Sequence, residues 1–219
     1  TGGSGNITIG NGGLVGNTAT ALALTLNGVT GGILDDANVY KTINVTATGA
    51  SSTLADITDT ALTALNVAGD KGLTLTSTTG ASALANVTVT GSAALTASFA
   101  ATTMKAIDTS GTTGKATITF DATAATYTGG AGVDAVTTSA GVSKAISLGA
   151  GDDKLTLASG TTSVTAAISG NSGTDTLSMV AADAATADND VLFSTLVTGF
   201  EVLELTGATG TQSVDLSNL

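Results

Sequence analysis

The chain has 219 residues and a formal net charge of -11; it is 42% hydrophobic but only 3% aromatic and 11% charged. It contains no Pro, Cys, Trp, His or Arg, against 44 Thr and 29 Gly. That inventory excludes Ser-His and Cys-His nucleophiles, a histidine zinc site, any disulfide framework and a basic nucleic-acid surface, and no apolar run reaches the roughly 18 residues of a membrane span.

From its N-terminus the chain runs Thr1-Gly2 with no Met and no signal peptide, which reads as a piece of a longer protein. Short alternating segments then follow in order. They are Leu24-Thr25-Leu26, Ile43-Asn44-Val45-Thr46, Leu65-Asn66-Val67-Ala68, Leu73-Thr74-Leu75 and Val87-Thr88-Val89-Thr90. Further on come Ile107-Asp108-Thr109-Ser110, Ile118-Thr119-Phe120, Leu155-Thr156-Leu157 and Leu203-Glu204-Leu205. Leu24-Thr25-Leu26, Leu73-Thr74-Leu75, Ile118-Thr119-Phe120, Leu155-Thr156-Leu157 and Leu203-Glu204-Leu205 each place apolar groups on one face and polar groups on the other, the period of a half-buried strand, while the others are short β-branched segments that lead to a glycine.

Glycines punctuate these segments at Gly10, Gly28, Gly49, Gly69, Gly91, Gly111, Gly129, Gly149 and Gly170. The steps are about 20 residues, the length of one solenoid coil. Small Val, Ile, Leu and Ala side chains fill only a narrow interior at native density. The pattern predicts an all-β chain: a right-handed parallel β-helix or β-roll with coils of about 20 residues. Residues 1–124 read as Thr/Ala-rich coils, 125–180 as coils carrying Gly-Asp loops, and 181–219 as an insertion loop with closing coils.

A β-sandwich of the same strands is the alternative. It needs hairpins, yet Asn11-Gly12 and Asn27-Gly28 are the only Asn-Gly pairs. Helical candidates, Ala181–Ala187 and the stretch near 54–65, are short, and Thr and Gly disfavour helix. Asn44, Asn66, Asn86 and Asp108 recur at coil spacing and suggest a stacked polar ladder, with solvated turn residues as the alternative.

The chemistry concentrates in three loops. Gly129-Gly130-Ala131-Gly132-Val133-Asp134 matches G-G-x-G-x-D in full. Leu148-Gly149-Ala150-Gly151-Asp152-Asp153 and Gly170-Asn171-Ser172-Gly173-Thr174-Asp175 match it in part. Glycine lets carbonyl oxygens turn inward, and a hard divalent cation takes six to eight oxygens from carbonyls and carboxylates. The expected ligands are Gly130, Gly132, Asp134, Gly149, Gly151, Asp152, Asp153, Gly170, Gly173 and Asp175. Asp134, Asp153 and Asp175 lie one coil apart, so one calcium is expected between the first two loops and another between the last two. Carboxylates stacked at the coil spacing of about 4.8 Å repel without a cation, which couples folding to calcium. Plain Gly-Asp turns are the alternative. A dinucleotide fingerprint is rejected, because no strand-to-helix transition follows any loop.

These loops resemble the repeats-in-toxin (RTX) calcium nonapeptide of proteins exported by type I secretion. Together with Gly199-Phe200-Glu201-Val202-Leu203-Glu204-Leu205-Thr206-Gly207 and the Thr/Ala/Gly-rich surroundings, they resemble bacterial surface-layer proteins of the RTX type. The resemblance covers about residues 125–207. It implies a calcium-rigidified β-solenoid that self-assembles into a two-dimensional lattice on the outer face of a Gram-negative cell. It also implies anchoring to lipopolysaccharide through another part of the parent chain. No secretion signal is recognisable before Leu219.

Asp188 and Asp190 could form a further cation site, but the segment from Ala181 to Asp190 reads rather as a solvated loop, and as a lattice or partner contact. Asp35-Asp36 and Asp56, Asp59 and Asp70 are read the same way, as solvated loop positions. An RTX adhesin binding a surface or glycan is the runner-up. A polysaccharide lyase or epimerase is disfavoured, because such sites set a basic group among carboxylates and only Lys154, beside Asp152-Asp153, approaches that. The chain is therefore not expected to be an enzyme.

Overall fold

The computed structural model describes residues 3, 5–9, 19–99, 103–211 and 213. Gly10, Asn11-Gly12, Thr1-Gly2 and Leu219 lie outside them.

Almost every strand pairs in parallel with the strand one coil away, so the chain is a parallel β-solenoid. The longest sheet has nine strands. Its members are β2 (Ala21–Leu26), β4 (Thr42–Ala47), β7 (Ala64–Gly69), β9 (Asn86–Gly91), β11 (Ala106–Thr112), β13 (Thr126–Thr128), β15 (Ile146–Ser147), β17 (Ile168–Ser169) and β19 (Val197–Thr198). The second has eight strands. These are β5 (Ser52–Leu54), β8 (Leu73–Leu75), β10 (Leu95–Phe99), β12 (Ala116–Phe120), β14 (Ala135–Thr138), β16 (Lys154–Thr156), β18 (Thr176–Val180) and β20 (Val202–Thr206). A three-stranded sheet of β1 (Ile7–Thr8), β3 (Ile33–Asp35) and β6 (Asp56–Thr58) forms a third wall near the N-terminal end. No hairpin pairing occurs among the described strands, and the sandwich alternative falls with it.

Register turns the alternating pattern into columns. Ile43, Leu65, Val87, Ile107, Tyr127, Ile146, Ile168 and Val197 stack coil on coil in the first sheet. Leu54, Leu75, Ala97, Ile118, Val136, Leu155 and Leu177 do the same in the second. Both columns are buried in one continuous core. Three of the few aromatics gather in this core: Phe99 pairs with Phe120, whose ring lies 6.1 Å from that of Tyr127.

The polar column differs from its expected membership. Asn44 is paired with Asn66, and the Asn66 amide donates to Asn44 Oδ1 at 2.7 Å. The next members are Thr88, Asp108 and Thr128. Asn86 is not among them. It pairs with Ala64 and Ala106, two residues earlier along the strand, because equal sequence steps do not guarantee equal register when the turns differ in length.

The segment from Ala181 to Asp190 is not a solvated loop. It forms α1 (Ala181–Ala187), and α2 (Val191–Leu196) follows. Ala181, Ala184 and Ala187 bury one helical face, and Phe193 of α2 is also buried. Alanine is the best helix former, and three alanines spaced by three supply an apolar stripe narrow enough for this site. The other helical candidate, near 54–65, forms strands β5 and β6 and the start of β7 instead. No helix among the described residues is long and apolar enough to cross a membrane.

Candidate metal centre

The three Gly-Asp loops stack as consecutive coils. Ala150 N–H donates to Gly130 O at 2.7 Å, and Ser172 N–H to Gly149 O at 3.1 Å. The approach is so close that a side chain cannot be accommodated. A Cβ on Gly149 would lie 2.2 Å from Gly130 O, and one on Gly173 would lie 1.8 Å from Gly151 O. Both residues also have positive φ, 102° and 143°, a region open chiefly to glycine. Gly132 and Gly170 meet the same restriction, against Gly114 O and Gly199 O.

This packing sets the aspartates in a ladder inside the solenoid wall. Asp134, Asp153 and Asp175 are 2%, 1% and 0% exposed. Each carboxylate accepts a backbone N–H from one coil earlier. Ala116 N donates to Asp134 Oδ1 (2.7 Å), Asp134 N to Asp153 Oδ1 (2.7 Å) and Asp153 N to Asp175 Oδ1 (2.9 Å). Asp175 N continues the series to Glu201 Oε2 at 2.7 Å. A buried acceptor for an otherwise unpaired N–H is worth its place even when it carries charge.

The second oxygens separate the loops. Asp134 Oδ2 accepts the Tyr127 hydroxyl at 2.9 Å, and Thr109 Oγ1 lies 3.1 Å from that hydroxyl. Asp153 Oδ2 and Asp175 Oδ2 have no partner, and the latter faces Gly170, where a Cβ would stand 2.6 Å from it. Asp152 is exposed, and its carboxylate caps Thr174 N–H at 2.8 Å.

Electrostatics follow the burial. Desolvation pushes Asp153 up to about 6; the charges of Asp134, Asp175 and Asp152 add to the rise, and the Asp134 N–H opposes it. Burial likewise raises Asp134, against the Ala116 N–H and the Tyr127 hydroxyl. It raises Asp175 too, with help from Glu201 and Asp152. The Tyr127 hydroxyl is driven upward by burial and by the Asp134 charge, so it remains a donor. The wall thus holds a stack of acids that calls for neutralisation by protons or by a cation.

The donor set fits a cation unevenly. Asp153 and Asp175 each present a free buried oxygen, that of Asp175 facing Gly170. Asp134, anchor of the one complete motif, has both oxygens occupied by protein donors. No group of three or more acidic side chains converges as a metal site among the described residues, so most ligands would have to be main-chain carbonyls. Asp188 and Asp190 serve the helices: Asp188 ends α1, and Asp190 caps α2 by accepting Leu192 N–H at 2.8 Å.

Sequence reasoning missed Glu201 as a rung. Its step from Asp175 is 26 residues, stretched by the two helices, and the residue is Glu rather than Asp. The signal available was Asp175 and Glu201 each lying one residue before an alternating strand, β18 and β20. Comparison with protein-family models, with curated proteins and with solved structures finds no match.

Proposed function

We propose that this chain is a non-catalytic, calcium-dependent structural segment of a secreted surface-layer protein that self-assembles on the outside of a Gram-negative cell. The observation that carries the calcium part is the pair of orphaned, buried oxygens on Asp153 and Asp175 within a stack of four acids. A divalent cation there would supply positive charge to a wall that otherwise holds stacked negative charge, at the affinity of about 10⁻⁴–10⁻³ M usual for extracellular modules. Asp153 and Asp175 would hold it through Oδ2, with the loop glycines from Gly149 to Gly173 contributing carbonyls. The free oxygens favour the interval between the Asp153 and Asp175 loops over that between Asp134 and Asp153.

The chain's own residues do the rest. The Asp–N–H ladder fixes the spacing of the coils, and the glycines allow their close approach. At low calcium the repulsion between rungs keeps these coils loose, as export requires; outside the cell they lock. Absence of His, Cys and Arg supports the non-catalytic reading. The lattice, the cell-surface location and the lipopolysaccharide anchor rest on the RTX surface-layer resemblance.

The test is a calcium titration of the purified chain, followed by circular dichroism and light scattering with a magnesium control. A calcium-specific gain of β-signal followed by particle growth is the expected result. A gain without growth points to an adhesin module, and no response after stringent chelation removes the calcium reading.

A further inference from the structure

Two more buried carboxylates lie far from the Gly-Asp loops. The β3–β6 register ends with Asp35 opposite Thr58, and Asp36 and Asp59 are the residues that follow that last pair on the two successive coils. The sequence pattern suggests solvated turn positions, yet Asp36 is 1% and Asp59 0% exposed. Asp36 closes its own turn: Oδ1 accepts Asn38 N–H at 3.1 Å and Oδ2 accepts Tyr40 N–H at 3.0 Å. Asp59 Oδ1 accepts two donors, Ala61 N–H at 2.8 Å and Leu62 N–H at 3.1 Å. Asp59 Oδ2 has no partner, and the Asp36 carboxylate is the charged group that acts on Asp59.

A divalent cation is a poor answer to that vacancy. It needs six to eight oxygens, and this pair has one that is not already engaged. A proton is sufficient. Placed on Asp59 Oδ2, it gives that oxygen a donor role and supplies Asp36 with a further hydrogen bond, and it removes the repulsion between two buried charges at coil spacing.

We infer that Asp59 takes up a proton on Oδ2 more readily in the folded chain than in the unfolded one and then donates to Asp36, a carboxyl–carboxylate clamp between successive N-terminal coils. The clamp makes the N-terminal coils sensitive to pH by a route independent of calcium. Burial and the Asp36 charge both push Asp59 upward, against the Ala61 and Leu62 N–H groups. The other titratable groups nearby are otherwise engaged or turned outward. Half-buried Asp35 on β3 caps Ala37 N–H at 2.9 Å. Half-buried Asp56 on β6 accepts Ile57 N–H and the Thr79 hydroxyl. Buried Tyr40 contributes its N–H to Asp36, and Lys41 is exposed. The segment 76–84 of the next coil and β1 carry no titratable side chain.

The sign of the effect follows from linkage. A folded-state pKa above the unfolded one means stability that is full below the unfolded value and lost as pH rises through the folded value. The deciding experiment is a ¹³C-carboxyl NMR titration of the whole chain in saturating calcium chloride. The Asp59 Cγ resonance, identified by its disappearance in Asp59→Asn, should titrate above the value of an aspartate in the unfolded chain; titration at or below that value overturns the clamp. Denaturation midpoints give a second readout. Asp59→Asn keeps an acceptor for Ala61 and Leu62 and donates an amide N–H to Asp36, so its advantage over wild type should grow as pH rises. Asp36→Asn forfeits the acceptor for Tyr40 N–H and should lower the midpoint at every pH. If Asp59→Asn lowers the midpoint at neutral pH as much as Asp36→Asn does, the inference fails.

Discussion

The coils on either side of Asp121 repeat the same plan but are held together differently. Upstream, β4, β7, β9 and β11 run six or seven residues each. Downstream, β13 has three residues and β15, β17 and β19 have two. Glycine loops take over the lost strand length, and carboxylates accept main-chain N–H groups that a longer ladder would have paired. The substitution has an electrostatic consequence. Strand pairing is neutral, whereas the buried Asp134–Asp153–Asp175 ladder, ended by exposed Glu201, brings charge into the wall. The upstream coils should therefore be stable in their own right, and the downstream coils should be conditional on calcium or protons.

The largest expected effect tests that division directly. On chelation, native-state hydrogen exchange should show amide protection lost across the coils from Tyr127 to Glu204 while β4 to β12 remain protected. Equal loss in both halves would show that the solenoid unfolds as one unit and would erase the contrast.

A smaller effect separates the two roles of a rung. Asp153→Ala removes the acceptor for the buried Asp134 N–H and should cost about 1–3 kcal/mol in calcium, read from urea denaturation. Asp153→Asn keeps that acceptor and discards the charge. In chelator at neutral pH it should exceed wild type by about 1 kcal/mol once solvent screening is allowed for, and in calcium it should fall below wild type. The pH profile sharpens the point. Burial pushes the Asp153 carboxyl up to about 6, above its unfolded value, so chelated wild type should be most stable in acid and lose stability as pH rises through about 6. In calcium that loss should vanish. A chelated protein that gains stability from pH 4 to 7 would mean the ladder is not short of positive charge.

The architecture was legible in the sequence because coil length, strand period and glycine spacing are all set by one geometry. The alternation in Leu73-Thr74-Leu75 or Ile118-Thr119-Phe120 translates directly into inward and outward faces. The loops were legible for the same reason. Register was less so, because it depends on the residues used by each turn; Asn86 has the right spacing and the wrong column. The Ala181–Ala187 helix was obscured by its shortness, although its alanines carried the period. Least legible was the partner of each oxygen. Nothing in the complete motif at Asp134 reveals that Tyr127, seven residues earlier, fills its second oxygen. Nothing in Asp36 and Asp59 reveals that two residues of solvated appearance are buried together.

The smallest effect probes the strand-paired side of the comparison. Asn66 and Asn44 are half-buried, and the hydrogen bond from the Asn66 side-chain amide to Asn44 Oδ1 spans one coil step on the outer face of the long strands. Asn66→Ala should cost about 0.5–1.5 kcal/mol, the net worth of one hydrogen bond, with no dependence on calcium or on pH between 4 and 8. Asn86→Ala, at an exposed position outside the column, should stay within about 0.5 kcal/mol of wild type. The two together check whether register rather than residue type decides which asparagine staples the coils. Equal costs at both positions would mean that side-chain identity on the outer face matters through strand propensity alone. A calcium-dependent cost at Asn66 would mean that the upstream coils are coupled to the acidic ladder after all, and the sharp division at Asp121 would have to be replaced by a gradient along the solenoid.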